Sequence, residues 1–232
     1  MKIYIGYDSK QKIASKVCEY SLRHHSKDLD INFLKLTQLK KKKLYWRPYK
    51  NQSTEFTYSR FLIPYLQNYK GWAMYCDDDF LFVQDVKHLM KLQNNSKAVL
   101  CVKHEYKPKS KTKMGNKKQI NYDKKNWSSL MLINCEHPDV KNLDLSMVNE
   151  ENGEYLHQFE WLKEEDIGSI PHSWNWLVNW YHTDKGDGHP DALHFTEGGP
   201  WIADSEYKQT WLNYKKLIEE ENESKRTTTI SR

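Results

Sequence analysis

Short apolar runs, separated by polar stretches with helical spacing, set the rhythm of this chain. Ile3, Tyr4 and Ile5 lie within residues 2–6, a β-prone run that reads as a first strand. Ile13, Val17, Tyr20 and Leu22 recur at roughly helical spacing and predict a helix behind it. Residues 31–36 alternate apolar and polar positions, as a second strand does. Residues 57–66 read as a helix that Pro64 kinks or shortens. Trp72, Ala73, Met74, Tyr75 and Cys76 form an apolar run ending on three aspartates, the pattern of a buried central strand with an acidic loop at its carboxyl end. Residues 97–102 and 130–134 are two more buried-strand candidates, with 167–170 and 192–196 as later ones. From Ala203 to about Glu221 the pattern is that of a long amphipathic helix.

Strands alternating with helices imply an α/β fold, a mostly parallel central sheet covered by helices on both faces. A chain of 232 residues is long enough for one sizeable core. The expected organisation is a single domain over residues 1–218 and a polar C-terminal tail over 219–232, with no internal repeat. At 38% hydrophobic and 29% charged residues the composition is that of a soluble globular protein. Nothing approaches the ~20 apolar residues that a membrane-spanning helix needs. The start turns polar too soon for a signal peptide, and the four scattered cysteines contain no C-x-x-C pair. Both features point to the cytoplasm.

The net charge of +5 calls for an anionic partner only weakly. Lys40 to Lys43 form one basic run, and a second falls between Lys103 and Lys125. A solvated loop is the plain reading of the second run. A mobile lid drawn to phosphates, or a peripheral contact with a membrane, is the functional one. No nucleic-acid module accompanies the charge, so nucleic acid is not an expected partner.

The aspartates carry the chemistry. Three adjacent carboxylates repel one another unless a cation or several donors neutralise them. In extended backbone Asp77 and Asp79 project to one side and Asp78 to the other. Two oxygen donors on one side suit Mn²⁺ or Mg²⁺, which keep positions open for phosphate oxygens. The plain alternative is a turn that caps the helix near Asp85.

Tyr75-Cys76-Asp77-Asp78-Asp79-Phe80-Leu81-Phe82-Val83-Gln84-Asp85-Val86 resembles the D-x-D segment of GT-A glycosyltransferases, whose fold is Rossmann-like. Within that class it is most similar to the family 8 retaining enzymes, the group of glycogenin and the bacterial lipopolysaccharide galactosyltransferases. Three further stretches match in order: Thr57-Tyr58-Ser59-Arg60-Phe61-Leu62-Ile63-Pro64, Leu130-Met131-Leu132-Ile133-Asn134, and His194-Phe195-Thr196-Glu197-Gly198-Gly199-Pro200-Trp201. The resemblance implies a nucleotide-sugar donor, with uridine as base, and transfer with retention to a glycan, a lipid-linked glycan or another hydroxyl acceptor. It implies a metal held by Asp77, Asp79 and His194. It places Tyr7, Asp8, Arg60, Asp78, Ser128, Ser129, Gly198 and Trp201 at the donor, and Gln158 nearest the reacting anomeric carbon with Arg60 beside it.

The chain also departs from that pattern. Gly199 stands where the family has a phosphate-binding lysine, and His157-Gln158-Phe159 replaces D-Q-D. A lysine of the 103–125 loop is the expected substitute. The changes leave open a non-catalytic carbohydrate-binding protein of the same fold. A haloacid-dehalogenase-type phosphatase also places D-x-D after an apolar strand, and Gly186 to Asp191 spell G-D-x-x-x-D. Here, however, Leu81 takes the place of that class's threonine, and no apolar strand precedes Gly186.

Overall fold

In the computed structural model, residues 1–50, 52–105, 112–113, 117–118, 123–202 and 204–230 are described. The strands are β1 (Lys2–Tyr7), β2 (Asp30–Lys35), β3 (Trp72–Cys76), β4 (Phe80–Phe82), β5 (Val99–Cys101), β6 (Thr112–Lys113), β7 (Lys117–Lys118), β8 (Leu130–Asn134), β9 (Ile167–Ser169), β10 (Trp176–Leu177) and β11 (Ala192–His194). The helices are α1 (Lys12–His25), α2 (Leu36–Lys41), α3 (Ile63–Leu66), α4 (Val86–Met90), α5 (Pro138–Lys141), α6 (Leu145–Glu150), α7 (Gly153–His157) and α8 (Lys208–Ile230). The main sheet has the order β2-β1-β3-β8-β5-β9. β1 runs parallel to β2 and β3, and β5 parallel to β9, while β8 is antiparallel to both its neighbours. Five of the six strands therefore share one direction.

Strand alternation sorts the core into two layers. Tyr4, Ala73, Tyr75, Val99, Met131 and Ile133 pack on one face with Phe56, Phe61 and Leu156. Ile3, Ile5, Met74, Cys76, Leu100, Leu130 and Leu132 pack on the other with α1 (Cys18, Leu22) and α4 (Val86, Leu89). A second sheet, β10-β11-β4, grows from the strand that follows the aspartates and closes against Val17 of α1 and Trp211 of α8.

The expected strands at 2–6, 31–36, 72–76, 97–102, 130–134, 167–170 and 192–196 all form, within a few residues of those limits. Residues 57–66 do not make one helix. A 3-10 turn, Ser59–Leu62, hands over to the single α turn of α3, with Pro64 in its first turn. Proline has no amide proton to continue an upstream α ladder, which is why the break falls there. Asp85 does cap α4, its side chain accepting from the Lys87 amide. Ala203, where the last helix was expected to begin, lies outside the described residues; α8 starts at Lys208 and runs through the stretch read as a polar tail.

Gly6, near the end of β1, is a packing requirement. A Cβ there would lie 2.6 Å from the Phe56 ring. Gly6→Ala is expected to lower unfolding stability by about 1–3 kcal/mol, the usual range for overpacking, measured by urea denaturation.

Candidate functional site

The end of β3 brings Asp77 and Asp79 together and sends Asp78 the other way. The Asp77 amide donates to Ser129 O (2.9 Å), and its Oδ1 accepts from Tyr75 Oη (2.6 Å) and faces Arg60 Nη1 at 2.9 Å. Burial pushes the Asp77 carboxyl above its ordinary pKa, Arg60 pulls it back down, and Asp79 adds to the rise. Asp78 points the opposite way and is wholly buried against α1, where Gln11 Nε2 and Ser15 Oγ donate to its carboxylate at 3.2 and 3.4 Å. Burial first, then the charges of Asp79, Asp77 and Asp8, hold the Asp78 carboxyl well above the usual range.

Asp79 immediately precedes β4, and strand pairing supplies its neighbour. β11 lies antiparallel to β4 with His194 opposite Phe80, and the Phe195 amide donates to Asp79 O (3.0 Å). The His194 ring is 2% exposed and stacks on Phe80 with centroids 4.4 Å apart. Its Nε2 lies 3.4 Å from Asp79 Oδ1, an oxygen that has no hydrogen-bond partner among the described residues. One ligand atom each from Asp77, Asp79 and His194 falls within 4.8 Å of the others. Bonds of ~2.0–2.6 Å from hard cations to oxygen put donors up to roughly 4–5 Å apart, so one ion can be reached by all three. A buried oxygen left without a partner, two carboxylates and an imidazole form a donor set that fits a divalent cation.

Arg60 lies behind this cluster. Its guanidinium is sandwiched near the Tyr75 and Phe56 rings, donates to Ser128 O (2.8 Å) and pairs with Asp77. It ties the upstream turn to the segment Trp127–Ser129. Ser128 Oγ meets His157 Nδ1 at 2.8 Å, and Ser129 Oγ donates to Asn126 O at 2.6 Å. His157 packs edge-on to Phe61, while Phe159 is fully buried, so the two residues flanking the half-buried Gln158 belong to the packing.

Asp8 has both carboxylate oxygens committed to backbone, Oδ1 to the Lys10 amide (2.9 Å) and Oδ2 to the Glu55 amide (3.3 Å). Tyr7 packs edge-on to Phe33, with Lys35 Nζ 5.0 Å above its ring. Past these residues, at the carboxyl ends of β1 and β2, a cleft of about 260 Å³ is lined by Lys10, Leu36, Thr37, Lys40, Tyr49 and Glu55. Tyr49 and Glu55 carried no motif in the sequence; only the chain path around the β1 end brings them to Lys40 of the first basic run. On the other side, Gln11 links Asp78 to Trp201, whose Nε1 donates to Gln11 Oε1 at 3.3 Å.

No protein-family model matches the chain. The protein CDI of Arabidopsis thaliana is 42% identical over 228 residues, covering 95% of this chain and 88% of that relative. The chain belongs to the CDI family. That family name specifies no chemistry, but solved structures give the CDI-family chain a fold relationship. It is similar to the glycosyltransferase GlyE of Streptococcus pneumoniae TIGR4, with a TM-score of 0.58 and 13% identity, over 92% of this chain and 59% of that one. It is also similar to the galactosyltransferase LgtC in complex with donor and acceptor sugar analogues, with a TM-score of 0.58 and 13% identity, over 92% and 95% of the two chains. Mouse xyloside xylosyltransferase 1 aligns with a TM-score of 0.54 and 11% identity, over 84% and 97%. Identities this low speak to fold alone, and that fold is the GT-A fold of glycosyltransferases.

Gly199 of this CDI-family chain has a local reason. Gly198 takes a positive φ of 103°, which turns the chain back so that the Trp201 ring lies over Gly199. A Cβ at Gly199 would fall 1.9 Å from that ring. No side chain fits there while Trp201 packs on Phe195 and Trp211. In the basic stretch, Lys103 and Lys124 both meet Glu164, and Lys125 is buried next to Asn126. Residues 106–111, 114–116 and 119–122 of that stretch lie outside the described residues. No described helix is long and apolar enough to cross a membrane.

Proposed function

We propose that this protein is a glycosyltransferase that uses a nucleoside-diphosphate sugar and binds the donor through a divalent cation, Mn²⁺ in preference to Mg²⁺. The observation that carries the reading is the unpartnered, buried Asp79 Oδ1 facing His194 Nε2 across a strand-end site of the GT-A fold. In sheets of this kind ligands collect beyond the carboxyl ends of the strands. Asp77, Asp79 and His194 would hold the cation. When bound, the cation supplies charge neutralisation to the diphosphate as it leaves the sugar.

The chain's own groups do the rest. Arg60 and Tyr75 take Oδ1 of Asp77, which leaves its other oxygen for the cation. The 260 Å³ cleft beside Asp8 is the place for the base and ribose, with Lys10, Lys40 and Tyr49 as its walls. Asp8 acts there by holding the Lys10 and Glu55 amides in place, and Asp78 by holding Gln11. Gln158 faces the sugar between two packed neighbours. Retention follows from a front-face route in which the leaving phosphate accepts the acceptor's proton. UDP is the expected nucleotide, and a glycan or lipid-linked glycan the expected acceptor.

Thermal shift against UDP, GDP and CDP, each with and without Mn²⁺, tests the reading. At roughly 100 times the dissociation constant, UDP with Mn²⁺ is expected to raise the melting temperature by about 5–10 °C. Asp79→Asn should abolish the Mn²⁺-dependent part and keep the fold. A metal-dependent shift that survives the substitution would refute the site. The packed positions of His157 and Phe159 favour one second reading, a non-catalytic carbohydrate-binding protein. Slow release of UDP from a UDP-sugar in Mn²⁺ separates the two, since only a transferase cleaves that bond.

A further inference from the structure

Asn175 sits at the end of the 3-10 turn His172–Asn175, immediately before β10, and is fully buried. Three hydrogen bonds hold its side chain, and the buried His104 also lies within its reach. Nδ2 lies 2.9 Å from Ser129 Oγ and 3.3 Å from Asn126 O, and Oδ1 lies 2.8 Å from His194 Nδ1. These contacts leave little freedom of assignment. A backbone carbonyl only accepts, so the group facing Asn126 O must be the amide NH₂. Ser129 Oγ already gives its proton to Asn126 O, at 2.6 Å, and therefore accepts from the same NH₂. The amide is thus fixed with Oδ1 toward the imidazole. An acceptor at 2.8 Å requires that His194 Nδ1 carry the hydrogen.

The consequence appears on the opposite side of the ring. In neutral imidazole with a proton on Nδ1, Nε2 presents a lone pair. That nitrogen lies 3.4 Å from Asp79 Oδ1, itself an acceptor with no hydrogen-bond partner among the described residues. Two acceptors facing each other in a buried place call for a cation. Asn175 also reaches the other ligand-bearing strand, because Ser129 O holds the Asp77 amide at 2.9 Å. One amide group thereby joins the histidine of β11 to the backbone that carries Asp77.

We propose that Asn175 is a positioning residue for the cation site: it locks His194 in its Nδ1–H form and holds that ring in register with Asp77. The inference rests on the metal-site reading of Asp77, Asp79 and His194 and adds the residue that pre-organises it. Partners of this kind behind a ligating histidine typically carry 10–100-fold of metal affinity.

The probe is Mn²⁺ alone, titrated into the whole protein and followed by electron paramagnetic resonance of the free ion. Asn175→Leu, of similar size but without the acceptor, is expected to weaken binding about 10–100-fold. Asn175→Asp keeps an acceptor for Nδ1–H but loses the donation to Asn126 O, so it is expected to bind Mn²⁺ more tightly than Asn175→Leu. Asn175→Ser is too short to reach the ring; it serves in place of the leucine variant if that fails to fold, and predicts the same loss. A merely structural role would lower the melting temperature without moving the imidazole proton. Long-range ¹H–¹⁵N correlation on the metal-free protein therefore reads the second arm. His194 should show the Nδ1–H pattern in the wild type and in Asn175→Asp, and lose it in Asn175→Leu or Asn175→Ser. A folded leucine or serine variant that binds Mn²⁺ as the wild type does overturns the role of Asn175. If Asp79→Asn also binds as the wild type does, or the wild type binds none, the metal site itself falls and the proposal with it.

Discussion

Arg60→Met should lower the unfolding free energy by about 3–5 kcal/mol, the loss seen when one partner of a buried ion pair is removed. The reason is what remains. Arg60 and Asp77 are 7% and 14% exposed at their side chains, and the guanidinium donates to Ser128 O while spanning the Tyr75 and Phe56 rings. Methionine restores some of the volume but leaves the Asp77 carboxylate with only Tyr75 Oη as a donor from a side chain among the described residues. Burial already raises the Asp77 carboxyl, with Arg60 as the main opposing influence. Without that cation the carboxyl rises further, so the folded state binds a proton that the unfolded chain releases. The deficit is then smallest at acid pH and grows as pH climbs through the raised folded-state value. Urea denaturation at several pH values measures this. In the double variant Arg60→Met with Asp77→Asn the loss should shrink, because no buried charge is left unpaired. A loss below about 1 kcal/mol with no dependence on pH would show that Arg60 does not neutralise Asp77.

Gly199→Lys is the second large effect. It places a lysine where the family 8 pattern has one, and it should damage the fold of this chain. The new Cβ would stand 1.9 Å from Cζ3 of Trp201, so the indole must leave its packing on Phe195 and Trp211 and its hydrogen bond to Gln11. A loss of about 3 kcal/mol, the upper part of the range for overpacking, is expected. Thermal melting and a red shift of tryptophan emission report it. Trp201→Ala removes the obstacle, so Gly199→Lys should cost far less on that background. Additive losses would mean that the indole is not what excludes the side chain.

Matching a motif is not the same as knowing which atoms a side chain meets. Arg60 was expected at the donor from the stretch around it, and the structure finds it beneath the aspartates, gripping Asp77. Asp8 and Asp78 were expected to meet the nucleotide, and their carboxylates are occupied by backbone amides and by Gln11 and Ser15. Which atoms a carboxylate meets depends on where a loop from fifty residues away comes to rest, as the Glu55 amide does on Asp8.

The sequence by itself determined the frame. β1, β3 and β8 were legible because a buried strand must be apolar on both faces, and their limits follow the apolar runs within a residue or so. The opposed directions of Asp77 and Asp78 were legible too, because side-chain alternation is a property of extended backbone. Tertiary structure decided the rest. The antiparallel direction of β8 leaves no mark on a strand covered on both sides, where every position is apolar whichever way it runs. β4, β10 and the helices α5 to α7 are too short for a period to show, so contacts made elsewhere select them. Asn175, in the run Ser173-Trp174-Asn175-Trp176, looks like any polar residue between tryptophans. Its meaning comes from His194, nineteen residues away in the chain and 2.8 Å away in space. Local propensity reads only neighbours along the backbone, whereas a site is assembled from strands that meet through folding.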